Sequence, residues 1–237
     1  MPRTTKAFVD FLRRYAMQTE QLFLLGDLFE YWAGDDDLAT PFHQHVIKAI
    51  QAVSAAGVAV FWIAGNRDFL LGAEFARATG AARLPDPYVA TIGERRVVLT
   101  HGDEQCTDDA AYMEFRARVR QADWQAEFLA TPLDQRKAVI QGMRRQSREA
   151  QRTKPDDIMD VNPQAIESLF DSSGAGLMIH GHTHRPARHS YRNGATERVR
   201  FVLPDWDCDA APARGGWLEI RRDGSVNRVD LDGNVIA

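Results

Sequence analysis

Short runs of apolar residues, each followed at once by a polar cluster, recur along the chain. The runs occupy residues 22–25, 58–63, 96–100 and 177–179, and the clusters after them are Gly26-Asp27, Gly65-Asn66-Arg67-Asp68, His101-Gly102-Asp103 and Gly181-His182-Thr183-His184. Largely apolar runs of this length are typical of strands that are buried on both faces of a sheet. Ligands bind at the carboxyl ends of the strands in open α/β sheets. The pattern therefore predicts one site that is built by four strand ends.

Segments with helical spacing separate these strands. Helices are predicted at 4–17, 41–56 and 72–79. Hairpins are predicted at 88–92 with 96–100, at 189–192 with 198–203 and at 217–220 with 226–231. The uncharged stretch at 49–66 is interpreted as the end of a helix, a turn at Gly57 and a buried strand, and not as a membrane span. Together these elements predict an α/β protein.

Residues 108–170 interrupt this alternation and have a helical pattern. Between Arg116 and Lys154 they carry ten Lys and Arg against four Asp and Glu. The excess charge fits either a solvated helical face or a lid that presents cations to a phosphate ligand or to anionic lipid headgroups. The apolar residues fit either the core of a helical hairpin or a groove for acyl chains. We predict a single domain, 1–237, with a helical cap at about 108–170, which we call the cap segment.

Composition adds few constraints. The chain has 237 residues, of which 44% are hydrophobic and 26% charged, as in ordinary soluble globular proteins. A formal net charge of −4 gives no general attraction to nucleic acid. Cys106 and Cys208 are too few for a disulfide framework, which predicts buried free thiols and a reducing cytoplasm. The residues after Met1 lack the apolar core of a signal peptide.

Five side chains at the strand ends are candidate metal ligands, namely Asp27, Asn66, His101, His182 and His184. His182 and His184 lie two residues apart, so on an extended strand end their rings are expected to point the same way. Each residue alone is more often part of a turn or a polar loop. Oxygen and nitrogen donors that arrive together suit Mn, Fe or Zn better than Ca or Mg. The sequence therefore predicts a transition-metal site.

These motifs resemble those of the calcineurin-like metallophosphoesterases. In that family an Asp-x-His, a Gly-Asp, a Gly-Asn-[His/Arg]-[Asp/Glu], a His-Gly and a Gly-His-x-His hold two metals, and this chain matches the last four elements. The resemblance implies a sandwich of two β-sheets flanked by helices. It also implies a two-metal site that activates water and neutralises charge on phosphoryl oxygens.

Longer motifs narrow this resemblance over nearly the whole chain. They include Gly26-Asp27-Leu28-Phe29-Glu30, Gly34-Asp35-Asp36-Asp37, Ile158-Met159-Asp160-Val161-Asn162 and His180-Gly181-His182-Thr183-His184-Arg185-Pro186. They are similar to the UDP-2,3-diacylglucosamine pyrophosphohydrolases of lipid A synthesis, which use manganese and form UMP and 2,3-diacylglucosamine 1-phosphate. The resemblance implies this lipid-linked UDP sugar as the substrate and peripheral attachment to the cytoplasmic face of a Gram-negative inner membrane. It implies neither a nucleic acid nor an obligate protein partner.

The resemblance also implies roles for single residues. Asp27 would bridge the metals, His184 would belong to one site, and Asn66, His101 and His182 would complete the other. The catalytic residues would be Asp27, Asn66, Arg67, His101 and His182. Substrate contacts would lie at Asn66, Arg67, Asp109, Ser147, Gln151, Lys154 and His182, although Gln151 stands where some relatives have Asn. His180 is expected to be structural.

Arg67 supports a pyrophosphatase on chemical grounds as well. Many members of the family have His at this position, where it can protonate an alkoxide leaving group. Arg stays charged and does not deliver a proton, so it suits a reaction whose leaving group is already stable, such as a phosphate. The alternative is that Arg67 only pairs with Asp68 or another nearby carboxylate.

The Asp-x-His element of the family does not occur in this sequence. It should end a strand before the first predicted helix, and without it one metal site keeps only Asp27 and His184. His43 and His45 lie on a predicted helix and are expected at the surface. A late start codon, a truncation and a loss of catalysis all fit, and we favour the first. The 237-residue chain is then expected to expose two strand edges, to be poorly soluble and to hydrolyse weakly.

Overall fold

The alternating segments of the sequence form the expected helices and strands. The computed structural model describes residues 1–151, 158–193 and 196–236. The helices are α1 (Pro2–Arg14), α2 (Pro41–Ala55), α3 (Ala73–Thr79), α4 (Ala110–Val119), α5 (Ala122–Ala130), α6 (Leu133–Gln151) and α7 (Pro163–Ser173). The strands are β1 (Gln21–Leu25), β2 (Ala59–Ile63), β3 (Ala82–Arg83), β4 (Tyr88–Ile92), β5 (Arg95–Thr100), β6 (Leu177–His180), β7 (Ala187–Asn193), β8 (Thr196–Val202), β9 (Trp217–Ile220), β10 (Val226–Val229) and β11 (Val235–Ile236). The two-residue strands β3 and β11 are too short to leave a pattern in the sequence.

The strands form two main sheets with a shared apolar core. One has the order β1-β2-β3 and is parallel, and the other has the order β4-β5-β6-β8-β7 with β5, β6 and β8 parallel. Strands β9, β10 and β11 form an antiparallel sheet. Leu25 and Ile63 of the first sheet pack in one cluster with Leu99, Ile179 and Phe201 of the second. The predicted α/β sandwich is confirmed.

Helices cover the outer faces of both main sheets. Ile50 of α2 and Phe75 of α3 are fully buried in a cluster that includes Trp62 of β2. On the other side, Phe170 of α7 packs with Met178 of β6. The layers are therefore helix, sheet, sheet, helix, and the carboxyl ends of the central strands emerge at one rim.

Strand β1 pairs with β2 on one side, and its other edge has no strand partner within the described ranges. One of the two strand edges that were predicted to be open is therefore found at β1. Helix α1 packs against the third sheet, where the rings of Phe11 and Tyr15 lie 4.8 and 4.6 Å from the ring of Trp217 in β9. The apolar stripe of α1 thus contacts the third sheet as well as α2.

His43 is not at the surface as predicted, because the chain before α2 folds over it. Its Nδ1 lies 2.8 Å from the carbonyl oxygen of Asp37, and its ring packs 4.5 Å from that of Trp32. His45, two residues along the helix, is exposed as expected. Cys106 and Cys208 are buried free thiols, which confirms that prediction.

The cap segment forms α4, α5, α6 and, after residues 152–157, α7. Asp109 caps the N-terminus of helix α4, and its side chain accepts a hydrogen bond from the backbone N–H of Tyr112. None of the helices in the described ranges is long and apolar enough to cross a membrane. The boundaries of the cap as a unit stay a prediction.

Candidate metal centre

The four polar clusters meet at the carboxyl ends of β1, β2, β5 and β6. Strands β1 and β2 are parallel neighbours that end at Leu25 and Ile63, and β5 and β6 are parallel neighbours in the facing sheet that end at Thr100 and His180. The loops after these strands therefore project toward the same rim. This convergence is what the alternating sequence pattern predicted.

Three of the predicted ligands form a compact group. One ligand atom each of Asp27, His101 and His182 lies within 4.8 Å of the others. The Oδ1 atom of Asn66 lies 3.0 Å from Nε2 of His101 and 3.0 Å from Nδ1 of His182. Four side chains from four separate strand ends thus direct two oxygens and two nitrogens into one volume.

His101 is oriented by the end of β1. Its Nδ1 lies 2.8 Å from the carbonyl oxygen of Leu25, which places the N–H on that atom and leaves Nε2 facing Asn66. Burial opposes protonation of this ring, but the carboxylates of Asp27 and Asp103 outweigh it and raise the pKa of His101. A metal-binding imidazole usually donates its other N–H in this way, which fixes the ring and its tautomer.

His182 is held in its neutral form. Burial, assisted by the charge of His101, lowers the pKa of His182 to about 4. A neutral imidazole can offer a lone pair to a cation near neutral pH without first losing a proton.

His182 and His184 do not follow the extended geometry that we predicted for them. Strand β6 ends at His180, and both later histidines have a left-handed backbone, with φ of 65° and 55°. The chain therefore turns between the two rings. Within the described ranges, His184 lies outside the 4.8 Å group that contains His182. Assigning His184 to a different metal from His182 stays a prediction.

Asp68 ties together two of the loops that carry ligands. Its carboxylate accepts hydrogen bonds from the backbone N–H groups of Leu28 at 2.7 Å, Gly65 at 2.9 Å and Asp27 at 3.3 Å. Burial, and next the charge of Asp27, raise the pKa of Asp68 to about 6. Asp68 therefore accepts backbone N–H groups, while Arg67 pairs with two other nearby carboxylates, those of Asp27 and Glu30.

Gly65 allows the two loops to approach closely. A Cβ on this residue would lie 2.3 Å from both the backbone nitrogen and Oδ1 of Asp27. The backbone N–H of Arg67 donates to the same Oδ1 at 2.9 Å. The backbone of the Gly-Asn-Arg-Asp motif therefore orients the carboxylate of Asp27. The two loops approach so closely that only glycine fits at position 65.

Arg67 extends from this loop along the rim. Its Nε lies 3.4 Å from Oδ2 of Asp27, and its Nη1 donates to Oε1 of Glu30 at 3.1 Å. Arg144 of α6 contacts the other oxygen of Glu30. The guanidinium groups of Arg67 and Arg144 are thus brought together by one carboxylate beside the ligand group.

Sequence reasoning missed Asp103, Tyr112 and Arg120, which lie directly behind the ligands. Asp103 is fully buried and accepts hydrogen bonds from the hydroxyl of Tyr112 at 2.7 Å and from Nε of Arg116 at 3.0 Å. The ring of Tyr112 stacks on His182 with 5.8 Å between centroids. The only sequence signal was the Asp of His101-Gly102-Asp103, whose partners in the cap segment have no recognisable motif.

The other predicted substrate contacts lie in or near the cap. Asp109 caps α4, and Ser147 is exposed on α6. Gln151 is the last residue of α6, but the position of its side chain is not described. Lys154 lies outside the described residues. These four contacts stay predictions.

The four converging side chains fit a divalent transition metal. Asp27 and Asn66 offer oxygens, and His101 and His182 offer imidazole nitrogens, one of them from a ring that is neutral near pH 7. This mixed donor set, partly buried at a rim and anchored by backbone contacts, is one that Mn²⁺, Fe²⁺ or Zn²⁺ accepts.

Comparisons with known proteins point to one family. The family model for calcineurin-like phosphoesterases matches residues 3–186. The UDP-2,3-diacylglucosamine hydrolase of Bordetella pertussis is 47% identical over 226 residues, which are 94% of this chain and 87% of that protein. Proteins of the same name from Chromohalobacter salexigens and Aromatoleum aromaticum are 44% and 49% identical, over 94% and 88% of this chain and 88% and 85% of their own lengths.

Proposed function

The chain belongs to the calcineurin-like phosphoesterases, and we propose that it hydrolyses the pyrophosphate bond of UDP-2,3-diacylglucosamine. The products would be UMP and 2,3-diacylglucosamine 1-phosphate of the lipid A pathway. One observation carries the proposal: Asp27, Asn66, His101 and His182 converge beside Arg67. Relatives that share 44% to 49% of their residues with this chain carry the name of that hydrolase.

The proposed metal is Mn²⁺, held by Asp27, Asn66, His101 and His182, with His184 directed at a second ion. When bound, such ions activate water and neutralise charge on phosphoryl oxygens. The chain supplies the orientation: Leu25 fixes the ring of His101, and the backbone N–H of Arg67 fixes the carboxylate of Asp27. Membership of a metallophosphoesterase family and the mixed donor set support a divalent metal. The choice of Mn²⁺ rests on the resemblance of the sequence motifs alone.

Arg67 is proposed to bind the phosphate oxygens of the substrate. Its guanidinium lies on the carboxylates of Asp27 and Glu30 at the edge of the ligand group and can rotate to a phosphate without leaving the rim. A planar, permanently charged guanidinium matches phosphate oxygens bidentately. It provides no proton, which suits departure of a phosphate that is stable as an anion. This favours a pyrophosphate over a simple phosphodiester.

The cap segment is proposed to receive the lipid part of the substrate. Asp109, Ser147, Gln151 and Lys154 would contact the ligand from this side, and the excess of Lys and Arg suits phosphate and anionic headgroups. We propose that a single domain with this helical cap acts as a peripheral protein on the cytoplasmic face of a Gram-negative inner membrane.

The test compares a lipid and a non-lipid substrate with the purified chain. UMP release is measured from UDP-2,3-diacylglucosamine and from UDP-N-acetylglucosamine, each with Mn²⁺ titrated from zero. The proposal expects manganese-dependent release from the lipid substrate and a much lower kcat/KM for the sugar without acyl chains. Equal values would favour a general nucleotide-sugar pyrophosphatase of the same fold.

A second candidate function is a binding protein with impaired catalysis. It is favoured by one observation: His184 lies outside the ligand group, and within the described ranges no other group of three His, Cys, Asp or Glu residues could hold an ion. Counting bound Mn²⁺ per chain distinguishes the two functions. The binding protein would be supported if each chain holds one Mn²⁺ ion and binds UMP, but does not hydrolyse the lipid substrate to release UMP.

A further inference from the structure

Helix α4 of the cap contacts three of the loops that carry the predicted ligands. Tyr112 reaches His182 on the loop after β6 and Asp103 on the loop after β5. Arg120, the C-cap residue that follows α4, reaches the loop after β2. These loops come from strands of two different sheets, so α4 is placed to set their relative positions.

The contact with the β2 loop is made to its backbone. Arg120 Nη2 donates to the carbonyl oxygens of Gly65 at 3.0 Å and of Ala64 at 3.3 Å. Gly65 immediately precedes Asn66, whose Oδ1 lies between the two histidine rings. A shift of this arginine would therefore be transmitted to Asn66 through one peptide unit.

Asp103 links these contacts to each other. Its Oδ2 lies 2.7 Å from the hydroxyl of Tyr112, 3.0 Å from Nε of Arg116 and 3.5 Å from Nη2 of Arg120. The other oxygen, Oδ1, is buried and has no hydrogen-bond partner in the described structure. Asp103 therefore joins side chains from both ends of α4 at one buried oxygen.

We propose that Asp103 is a positioning residue that, through Tyr112 and Arg120 of α4, fixes the ring of His182 and the Gly65-Asn66 turn for metal binding. This inference rests on the proposed metal site. The inference goes beyond that site because it assigns residues that contact the metal ligands and do not contact the ion. Second-row partners of this kind usually tune the affinity for the metal by fixing the orientation of its ligands.

A buried ionic cluster could instead serve only to hold α4 in place. Tyr112→Phe separates the two roles, because it keeps the ring that stacks on His182 and removes the hydroxyl that ties the ring to Asp103. A purely structural cluster would lower the melting temperature of the metal-free protein and leave its affinity for Mn²⁺ unchanged. A positioning role would weaken Mn²⁺ binding whether or not the melting temperature falls.

The experiment titrates the metal-free chain with Mn²⁺ and follows free Mn²⁺ by electron paramagnetic resonance. Tyr112→Phe is expected to raise the dissociation constant about tenfold, at the lower end of known effects of second-row substitutions. Tyr15→Phe is the matched control, since it also removes a tyrosine hydroxyl from a hydrogen bond, in this case with the carbonyl oxygen of Asp232, in a ring packed on Trp217. Its dissociation constant is expected to equal that of the unaltered chain.

Arg120→Lys provides a second measurement that acts on the other arm of the network. Lysine keeps the charge near Asp103 but is shorter than arginine and lacks the Nη2 that reaches both Gly65 and Ala64, so weaker Mn²⁺ binding is again expected. Unchanged Mn²⁺ affinity in both variants, or an equal loss in Tyr15→Phe, would overturn the inference. If the unaltered chain itself fails to bind Mn²⁺, the proposed metal site is wrong and the inference falls with it.

Discussion

The guanidinium of Arg67 lies 3.1 Å from the carboxylate of Glu30, and the other oxygen of that carboxylate is held by Arg144 of α6. Glu30 therefore joins the loop after β2 to the cap segment. The carboxylate is about half exposed, with 49% of its side-chain surface accessible, so the pairs themselves add little to stability. Their effect is on where the two cations lie relative to an incoming phosphate.

Arg67→Lys is expected to lower kcat/KM for UDP-2,3-diacylglucosamine about tenfold, equivalent to roughly 1.4 kcal/mol of transition-state stabilisation. Lysine keeps the charge but loses the planar fork that Arg67 directs at Asp27 and Glu30. Arg144→Lys is the matched control, since it alters the other cation on the same carboxylate. Steady-state UMP release at several substrate concentrations makes the comparison, and an equal loss in both variants would contradict a special role for Arg67.

Asp68→Asn is expected to cost about 1–3 kcal/mol of unfolding free energy, since an amide leaves buried N–H groups without an acceptor. The same substitution at Asp35 is a close control, because that carboxylate also accepts backbone N–H groups, from Gly72, Glu74 and Phe75. Both variants should unfold at lower urea concentration.

Of the two variants, only Asp68→Asn should also weaken Mn²⁺ binding, by about 10- to 100-fold. The reason is that Asp68, unlike Asp35, connects the loops that carry Asp27 and Asn66. Isothermal titration of the metal-free proteins measures this difference. A comparable loss of affinity in Asp35→Asn would show that reduced stability alone accounts for the effect.

The neighbouring histidines are expected to separate into a ligand and a structural residue. His182→Ala should weaken Mn²⁺ binding by more than about 100-fold, because it removes a donor and not merely its support. His180→Ala should cost about 2–3 kcal/mol of stability, because Nε2 of His180 lies 2.8 Å from Nη1 of the buried Arg200. Urea unfolding with and without Mn²⁺ tests both. Equal metal affinities in the two variants would contradict the assignment.

The stability of the metal-free chain is expected to depend on pH through His180. Burial and the adjacent Arg200 lower the pKa of His180 to about 3 in the folded protein. The unfolded chain therefore binds a proton near pH 6.5 that the folded chain binds only near pH 3. The contribution of neutral, buried His180 to the free energy of unfolding is therefore complete above the pKa that His180 has in the unfolded chain, about 6.5. It is lost as the pH falls from about 6.5 toward 3.

Between pH 7 and pH 5, His180→Ala should remove roughly 2 kcal/mol of this pH dependence. Urea unfolding in the presence of a chelator, at both pH values, gives the two slopes. If the variant and the unaltered chain lose the same amount of stability on acidification, His180 is protonated in the folded state and the prediction is wrong.

The sequence predicted the central part of the fold because local and global signals agreed there. Apolar runs ended at Gly26 and at Gly65, and the structure places both turns against each other at the rim. The identity of the converging residues was therefore accessible from pattern alone. The relative orientation of His182 and His184 could not be predicted in this way. Residues two apart point the same way only on an extended strand, and the backbone is left-handed at both histidines.

Contacts between distant segments were also beyond the sequence. Asp103 and Tyr112 meet because α4 crosses the strand ends, and no local pattern encodes that crossing. His43 was misplaced for a similar reason, since the turn before α2 covers a helix face that looks polar in the sequence. The local sequence around a charged or polar residue does not predict its contacts when its partners lie far away along the chain.

Asp27, His182 and His184 all have a left-handed backbone, with φ between 54° and 65°. For residues other than glycine this conformation costs of order 1–3 kcal/mol each, and glycine or asparagine adopts it more easily. Laboratory evolution that selected only for heat resistance should therefore replace these residues early. Directed evolution for thermostability would have to be coupled to a selection for metal retention, because the most stable sequence for this backbone is not the one that binds an ion.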